Sequence, residues 1–139
     1  MRAALSEALR LSSEFNKYQH LTAFWNEIKT DPGVAAKSIY TSLRVIDSLK
    51  VLFAPFLPFS SERLHGYLGY TQPLFGEQYL EAQQDSLGTH NTLRYRSAQA
   101  AGRWEPSQLK PGQPLQPPAA LFKKLEPALA DEERKRLGK

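Results

Sequence analysis

Aromatic residues beside cations form the arrangement in this 139-residue chain that most suggests chemistry. Phe24 and Trp25 follow a predicted helix, and Lys17 and Lys29 flank them. An exposed indole near cations can stack on an unpaired base, which contributes roughly 1–3 kcal/mol per base. Adjacent aromatic residues more commonly close a hydrophobic core, so both interpretations stay open at this point. Asn16, on the same predicted helix, can hydrogen-bond a base edge or a phosphate, or only backbone and water.

Other catalytic and metal-binding patterns are missing from the sequence. The scattered glycines form no phosphate loop, and no serine stands in a nucleophile elbow. His20, His65 and His90 lie in separate segments without carboxylates at ligand spacing, and the chain has no cysteine. We therefore predict no catalytic residue and no metal site in this chain.

Composition and charge narrow the classes of partner. The chain carries 18 Lys and Arg against 14 Asp and Glu, a net charge of +4, which permits a nucleic-acid partner without demanding one. The longest apolar run, Val51 to Phe59, is broken by two prolines and is far shorter than the ~20 residues that span a bilayer. The N-terminus lacks the apolar stretch of a signal peptide, because Ser6 and Glu7 interrupt it. We expect a cytoplasmic protein with no membrane partner.

Helical periodicity dominates the first half of the chain. A first amphipathic helix is predicted over residues 2–20. Asp31 or Thr30 can cap a second helix over 32–53, whose wide apolar arc is typical of a helix packed on more than one side. A third helix is predicted over 62–68, capped by Ser60 or Ser61 and stopped by Gly69.

The second half of the chain is mixed in character. Residues 70–89 are predicted to be loop, with at most a short helix near 77–84, and residues 93–96 give a weak strand signal. Five prolines make 105–118 an extended connector, and a short helix is predicted over 126–137. The sequence thus predicts an all-α fold in two parts: a helical bundle over 1–69, and an irregular extension over 70–139 that packs back on it.

The motif Phe15-Asn16-Lys17-Tyr18, followed by Trp25, resembles the Asn-x-Tyr…Pro-Trp segment of methionyl-tRNA synthetases. Residues 39–43 (Ile-Tyr-Thr-Ser-Leu) and 52–59 (Leu-Phe-Ala-Pro-Phe-Leu-Pro-Phe) are similar to the following helices of that family's anticodon-binding domain. The tail over 117–125 looks like the Pro-Leu-Phe peptide that closes the domain. The resemblance implies a partial helix bundle of the class I aminoacyl-tRNA synthetase type, with three main helices.

The resemblance also implies a set of RNA-binding residues. The family's tryptophan at the position of Trp25 stacks on an anticodon base, so Trp25 is the principal candidate. We add Asn16, Lys17, Phe24 and Lys29 as the other candidates for contacts with the anticodon loop of tRNA. Phe24 stands where the family usually has a proline, so the segment before Trp25 departs from the family's pattern.

The catalytic signatures of the family, His-x-Gly-His and Lys-Met-Ser-Lys-Ser, are not found in this chain. ATP and methionine are therefore expected to bind a catalytic domain outside it, and we predict no cofactor in the chain itself. We expect a C-terminal piece of the enzyme, cut from it or encoded separately, that partners tRNA and the catalytic domain in cis or in trans.

The family's bundle begins with earlier helices that this chain lacks. We therefore expect the apolar second helix to be covered by the tail around Leu121 and Phe122, or by self-association. The alternative function is a helical protein-interaction module that keeps the fold without binding RNA. Salt dependence separates the two, since RNA binding weakens steeply with added salt.

Overall fold

The structure, a computed structural model, describes residues 1–138. Within residues 1–69 it contains four helices: α1 (Arg2–Thr22), α2 (Phe24–Glu27), α3 (Pro32–Phe53) and α4 (Pro58–Tyr67). The helices α1, α2 and α4 all pack against α3, which confirms the prediction of a central helix. No helix of the described chain is long and apolar enough to cross a membrane.

The start of α3 follows from its cap. The Asp31 carboxylate accepts hydrogen bonds from the backbone N–H groups of Gly33 and Val34, both at 3.1 Å, and Pro32 occupies the first turn. The predicted bounds of this helix are confirmed. The predicted cap of the third helix is wrong: α4 begins at Pro58, and Ser61 is buried within it. Proline at the first position fixes a helical φ, so this helix starts without a side-chain cap.

The prediction of an all-α fold is wrong, because residues 77–96 form a β-hairpin. Strand β1 (Glu77–Asp85) pairs antiparallel with β2 (Gly88–Arg96), from Glu77 opposite Arg96 to Asp85 opposite Gly88. The short helix expected near 77–84 is therefore a strand, whereas the strand signal at 93–96 is confirmed within β2. The Glu, Gln and Ala residues of β1 favour helices on local propensity. Pairing with β2, which lies outside any short window of sequence, decides the outcome.

The tail packs along the bundle. After a 3₁₀ turn (Ser97–Gln99), the chain runs to Glu126 without a regular helix or strand, and then forms α5 (Pro127–Leu137), as predicted. The hydroxyl of Tyr40 donates to the carbonyl of Leu109 at 2.9 Å, and the Gln113 amide donates to the carbonyl of Leu68 at 2.6 Å. The division of the chain at residues 69 and 70 stays a prediction.

Candidate nucleic-acid interface

Trp25 lies on the one-turn helix α2, between α1 and α3. Its side chain is 48% exposed, so the indole is accessible between the two long helices. The segment forms a single helical turn of four residues. A half-exposed indole on a short, packed element is suited to stacking against a planar ligand.

Two neighbouring rings contact the indole by their edges. The ring centroid of Phe24 lies 5.2 Å from that of Trp25 with planes at 69°, and the His20 imidazole lies 6.3 Å away at 86°. Such T-shaped contacts stabilise a ring in one orientation. Phe24 is half-buried, so it supports the indole more than it offers a surface of its own.

A left-handed residue lies between α1 and the aromatic pair. Ala23 has φ 39° and ψ 42°, and it is the one non-glycine residue of the described chain with positive φ. Its N–H donates to the carbonyl of Gln19 at 2.9 Å, and its carbonyl accepts from the N–H of Asn26 at 2.8 Å. Ala23 thus ends α1 and starts α2, between His20 and Trp25.

The other predicted contact residues divide into two groups. Lys29 is exposed between α2 and α3, close in the chain to Phe24 and Trp25. Asn16 and Lys17 are exposed further back on α1, and the Lys17 ammonium pairs with Glu14 at 2.8 Å. That hydrogen bond lowers the pKa of the Glu14 carboxyl. The RNA-binding roles of all five residues stay predictions.

His20 lies beside Trp25, although its place in the sequence indicated no ligand role. It follows Asn16 by four residues, so the two side chains share one face of α1. That spacing was readable from the sequence. The contact with Trp25 was not, because it depends on the left-handed conformation of Ala23.

Two apolar grooves run along α3, one on each side of its contact with α1. The first, of about 580 Å³, lies between α1, α3 and the tail near Pro106 and Ser107. The second, of about 410 Å³, lies between α1, α3 and α4, and Leu121 and Phe122 line it from the tail. Phe122 is still 63% exposed. The tail therefore reaches the second groove, as expected, but does not fill it.

A buried polar cluster joins α3, α4 and the short segment that follows α4. The Lys50 ammonium hydrogen-bonds the Asp47 carboxylate and sits 4.0 Å from the centroid of the Tyr70 ring. The Tyr70 hydroxyl donates to Asp47 at 2.9 Å, and its ring stacks on His65 with centroids 4.5 Å apart. The sequence missed this cluster, because an i, i+3 pair of opposite charges is more typical of a solvated helix face.

The pKa values of three groups in this cluster are shifted from their usual values. Burial opposes the charge on Asp47, but hydrogen bonds from Lys50, Ser107 and Tyr70 outweigh it and hold the pKa of Asp47 below its usual value. Burial lowers the pKa of Lys50, although Asp47 opposes that shift. Burial and then the hydrogen bond to Asp47 raise the pKa of Tyr70. Asp47 therefore stays ionised and Tyr70 stays neutral near neutral pH, which suits a structural role.

The described residues offer little for a metal. Among residues 1–138, no group of three His, Asp or Glu side chains is arranged to hold an ion. The accessible surface around Trp25 supports stacking, hydrogen bonding and charge attraction.

Comparison with known proteins places this chain in a family. A family model described as the anticodon binding domain of methionyl tRNA ligase matches residues 1–94. The methionine--tRNA ligase of Thermomicrobium roseum is 47% identical over 139 residues, which cover 99% of this chain and 24% of that protein. That of Chloroflexus aurantiacus is 44% identical over 98% of this chain and 23% of that protein. That of Thermobifida fusca is 38% identical, with coverages of 98% and 23%.

The chain spans about a quarter of the length of these relatives. No solved structure matches it. The family match covers α1 to α4, the aromatic pair and most of the hairpin, and the relatives match almost the whole chain. By these matches, the chain belongs to the methionyl-tRNA ligase family, as its anticodon-binding domain.

Proposed function

We propose that this chain recognises the anticodon stem-loop of the tRNA for methionine, as the anticodon-binding part of a methionyl-tRNA ligase. The observation that carries the proposal is the half-exposed indole of Trp25, held edge-on by Phe24 and His20. Bases of a tRNA loop can be splayed out and stacked on aromatic side chains, and this is a common mode of single-stranded RNA recognition.

In the proposed mechanism, one anticodon base stacks on Trp25 and polar groups around it contact the loop. Asn16 supplies a donor and an acceptor for a base edge or phosphate. Lys29 and Lys17 contribute charge toward the phosphates. The ion pair of Lys17 with Glu14 is exposed, and such pairs contribute little, so Lys17 can exchange its partner for a phosphate.

The catalytic steps belong to the remaining polypeptide of the ligase. In this proposal ATP and methionine bind there, in cis or in trans, and the chain contributes tRNA selection. A protein that serves translation in this way works in the cytoplasm, and the proposal includes that location. Self-association of the isolated chain is a further expectation, supported by the two open grooves.

The test is a titration of the chain with a labelled anticodon stem-loop. Trp25→Ala should weaken binding by about 5- to 150-fold, because one stacked base contributes roughly 1–3 kcal/mol. Lys29→Ala should mainly reduce the dependence of affinity on salt. Trp104→Ala is the matched control, since Trp104 is the other tryptophan and is 80% exposed. Losses for Trp25→Ala no larger than those for Lys29→Ala or Trp104→Ala would count against the proposal.

The two grooves favour one alternative, a module that docks another protein through apolar contacts. The same titration at several salt concentrations separates the two functions. Binding through phosphate contacts weakens linearly on a double-logarithmic plot, with a slope set by the number of phosphates neutralised. A partner bound through apolar contacts would show little such dependence.

A further inference from the structure

The β1–β2 hairpin has two chemically different faces. Because side chains alternate across a strand, residues paired in register share a face. The first face, here called the charged face, carries Glu77, Tyr79, Glu81, Gln83, Asp85, His90, Thr92, Arg94 and Arg96. The second, here called the uncharged face, carries Gln78, Leu80, Ala82, Gln84, Thr89, Asn91, Leu93 and Tyr95.

The arginine and glutamate side chains on the charged face form ion pairs with one another across the two strands. Arg94 pairs with Glu81 at 2.7 Å, and Arg96 pairs with Glu77 at 2.5 Å. The Arg96 guanidinium also lies 4.6 Å from the centroid of the Tyr79 ring. Pairs of this kind stabilise a hairpin while leaving the face compatible with water. This is the face that we expect to remain in solvent.

The uncharged face is apolar at its centre and bare. Leu80 and Leu93 lie opposite each other and are 67% and 66% exposed, and Tyr95 next to them is 53% exposed. The two strands pair extensively with each other. Within the described residues, neither strand packs against a helix to an extent comparable with that pairing. A lone two-stranded hairpin is marginally stable in water and gains its stability by packing one face. The Leu80–Leu93 pair is therefore the part of the hairpin built for burial.

The chemistry of the uncharged face narrows its occupant. It carries no Lys or Arg, so it offers no positive charge to the phosphates of RNA. A second copy of the chain is also a poor fit. Nine residues per strand on two strands give a footprint of roughly 300 Å², against about 800 Å² per partner in a stable complex.

A surface on the same polypeptide needs less area, because a covalent link supplies a high effective concentration. The relatives that match this chain are about four times as long as the segment it covers, so most of their polypeptide lies outside it. We propose that the uncharged face of the hairpin docks onto an uncharged, apolar surface of the remaining methionyl-tRNA ligase polypeptide. This inference rests on the proposed function, since it takes the chain to be part of a ligase.

The test uses a chimaera in which this chain replaces the matched residues of the Thermomicrobium roseum ligase, compared with the 139-residue chain alone. The variant is Leu80→Glu with Leu93→Lys, which keeps an attractive pair across the strands but charges the uncharged face. The matched control is Gln83→Glu with His90→Lys, the same pair of charges on the opposite face.

We expect the amides of β1 and β2 to exchange at least tenfold more slowly in the chimaera than in the chain alone. The Leu80/Leu93 variant should abolish that protection and lower the unfolding temperature of the chimaera by several degrees, whereas the control should do neither. In the chain alone, both variants should unfold alike and bind the anticodon stem-loop alike.

Equal exchange in chimaera and chain, or equal effects of variant and control in the chimaera, would overturn the docking proposal. If the chimaera does not fold, the chain is added in trans to the Thermomicrobium roseum ligase that lacks the matched residues. Absence of both binding and amide protection in that mixture would also overturn the docking proposal. Docking without any RNA binding by the chain would instead contradict the proposed function and leave the docking proposal standing.

Discussion

The position of Trp25 depends on a single strained residue at its side. Ala23 adopts the left-handed conformation that side-chain-bearing residues avoid, at a cost of roughly 1–2 kcal/mol. Strain of this kind persists where the surrounding structure holds it, and it is common at functional sites. Here the left-handed residue helps to place the indole of Trp25 against the rings of His20 and Phe24.

Glycine and valine at position 23 should change the free energy of unfolding in opposite directions. Ala23→Gly removes the left-handed cost but adds freedom to the unfolded chain, so we expect a gain of up to about 1 kcal/mol. Ala23→Val should lose about 1 kcal/mol or more, since a β-branched residue is worse still at positive φ. Urea unfolding measures both. A valine variant as stable as the parent would show that Ala23 is not held in this conformation.

His65 should make stability depend on pH. Its Nε2 donates to the carbonyl of Gln72 at 2.8 Å, and its ring faces Lys50, Asp47 and Tyr70 in the polar cluster, with Glu62 one turn back on α4. Burial, and then the positive charge of Lys50, lower the pKa of His65 in the folded protein. The folded state therefore favours neutral His65 more than the unfolded state does.

The stability that neutral His65 contributes is complete above the unfolded pKa of about 6.5 and is lost as the pH falls below it. We expect the urea midpoint to fall between pH 7 and pH 5. His65→Asn should be less stable at pH 7 and should lose most of this dependence. His90→Asn, at the exposed histidine of the hairpin, is the control. An unchanged pH profile in the His65 variant would contradict this assignment.

At the scale of elements, the helices were predictable because their signals are local. Proline, Asp31 and apolar periodicity defined α3, and Pro127 defined α5. The hairpin was not predictable in full, because β1 contains residues that favour helices and is a strand only through its partner. The start of α4 was predicted wrongly because a local signal was misleading. Two serines offered a good cap, but the helix begins before them, at Pro58.

The tail is held to α4 by a close backbone contact that can be tested. Gly69 has φ 83°, and a Cβ added there would lie 2.1 Å from the carbonyl oxygen of Pro114. Gly69→Ala should therefore displace the tail from α4 and lower stability by more than about 1 kcal/mol. Gly112→Ala is the control, since Gly112 also has positive φ, at 76°, but has open space around it.

Amide exchange measures this prediction at the Gln116 N–H, which donates to the carbonyl of Tyr67 at 3.0 Å. That amide should exchange faster in the Gly69 variant than in the Gly112 variant. Equal exchange in the two variants would mean that the contact with Pro114 does not hold the tail.

At the scale of the whole molecule, the chain combines a weakly basic charge with one accessible indole on its bundle. A net charge of +4 gives only modest electrostatic attraction, so we expect specific affinity to come mainly from stacking. The resemblance in sequence pointed to Trp25, and the structure shows its exposure. Its contact with His20 was beyond sequence reasoning, because it depends on the left-handed conformation of Ala23, which no motif encodes.

The most direct measurement is the fluorescence of Trp25 during RNA binding. The chain has two tryptophans, so Trp104→Phe leaves Trp25 as the only indole. Adding the methionine anticodon stem-loop should quench this emission with the same midpoint as binding, because a stacked base contacts the ring directly. A fully paired duplex of equal length should leave the emission unchanged. Binding of the stem-loop without a change in Trp25 emission would contradict the account.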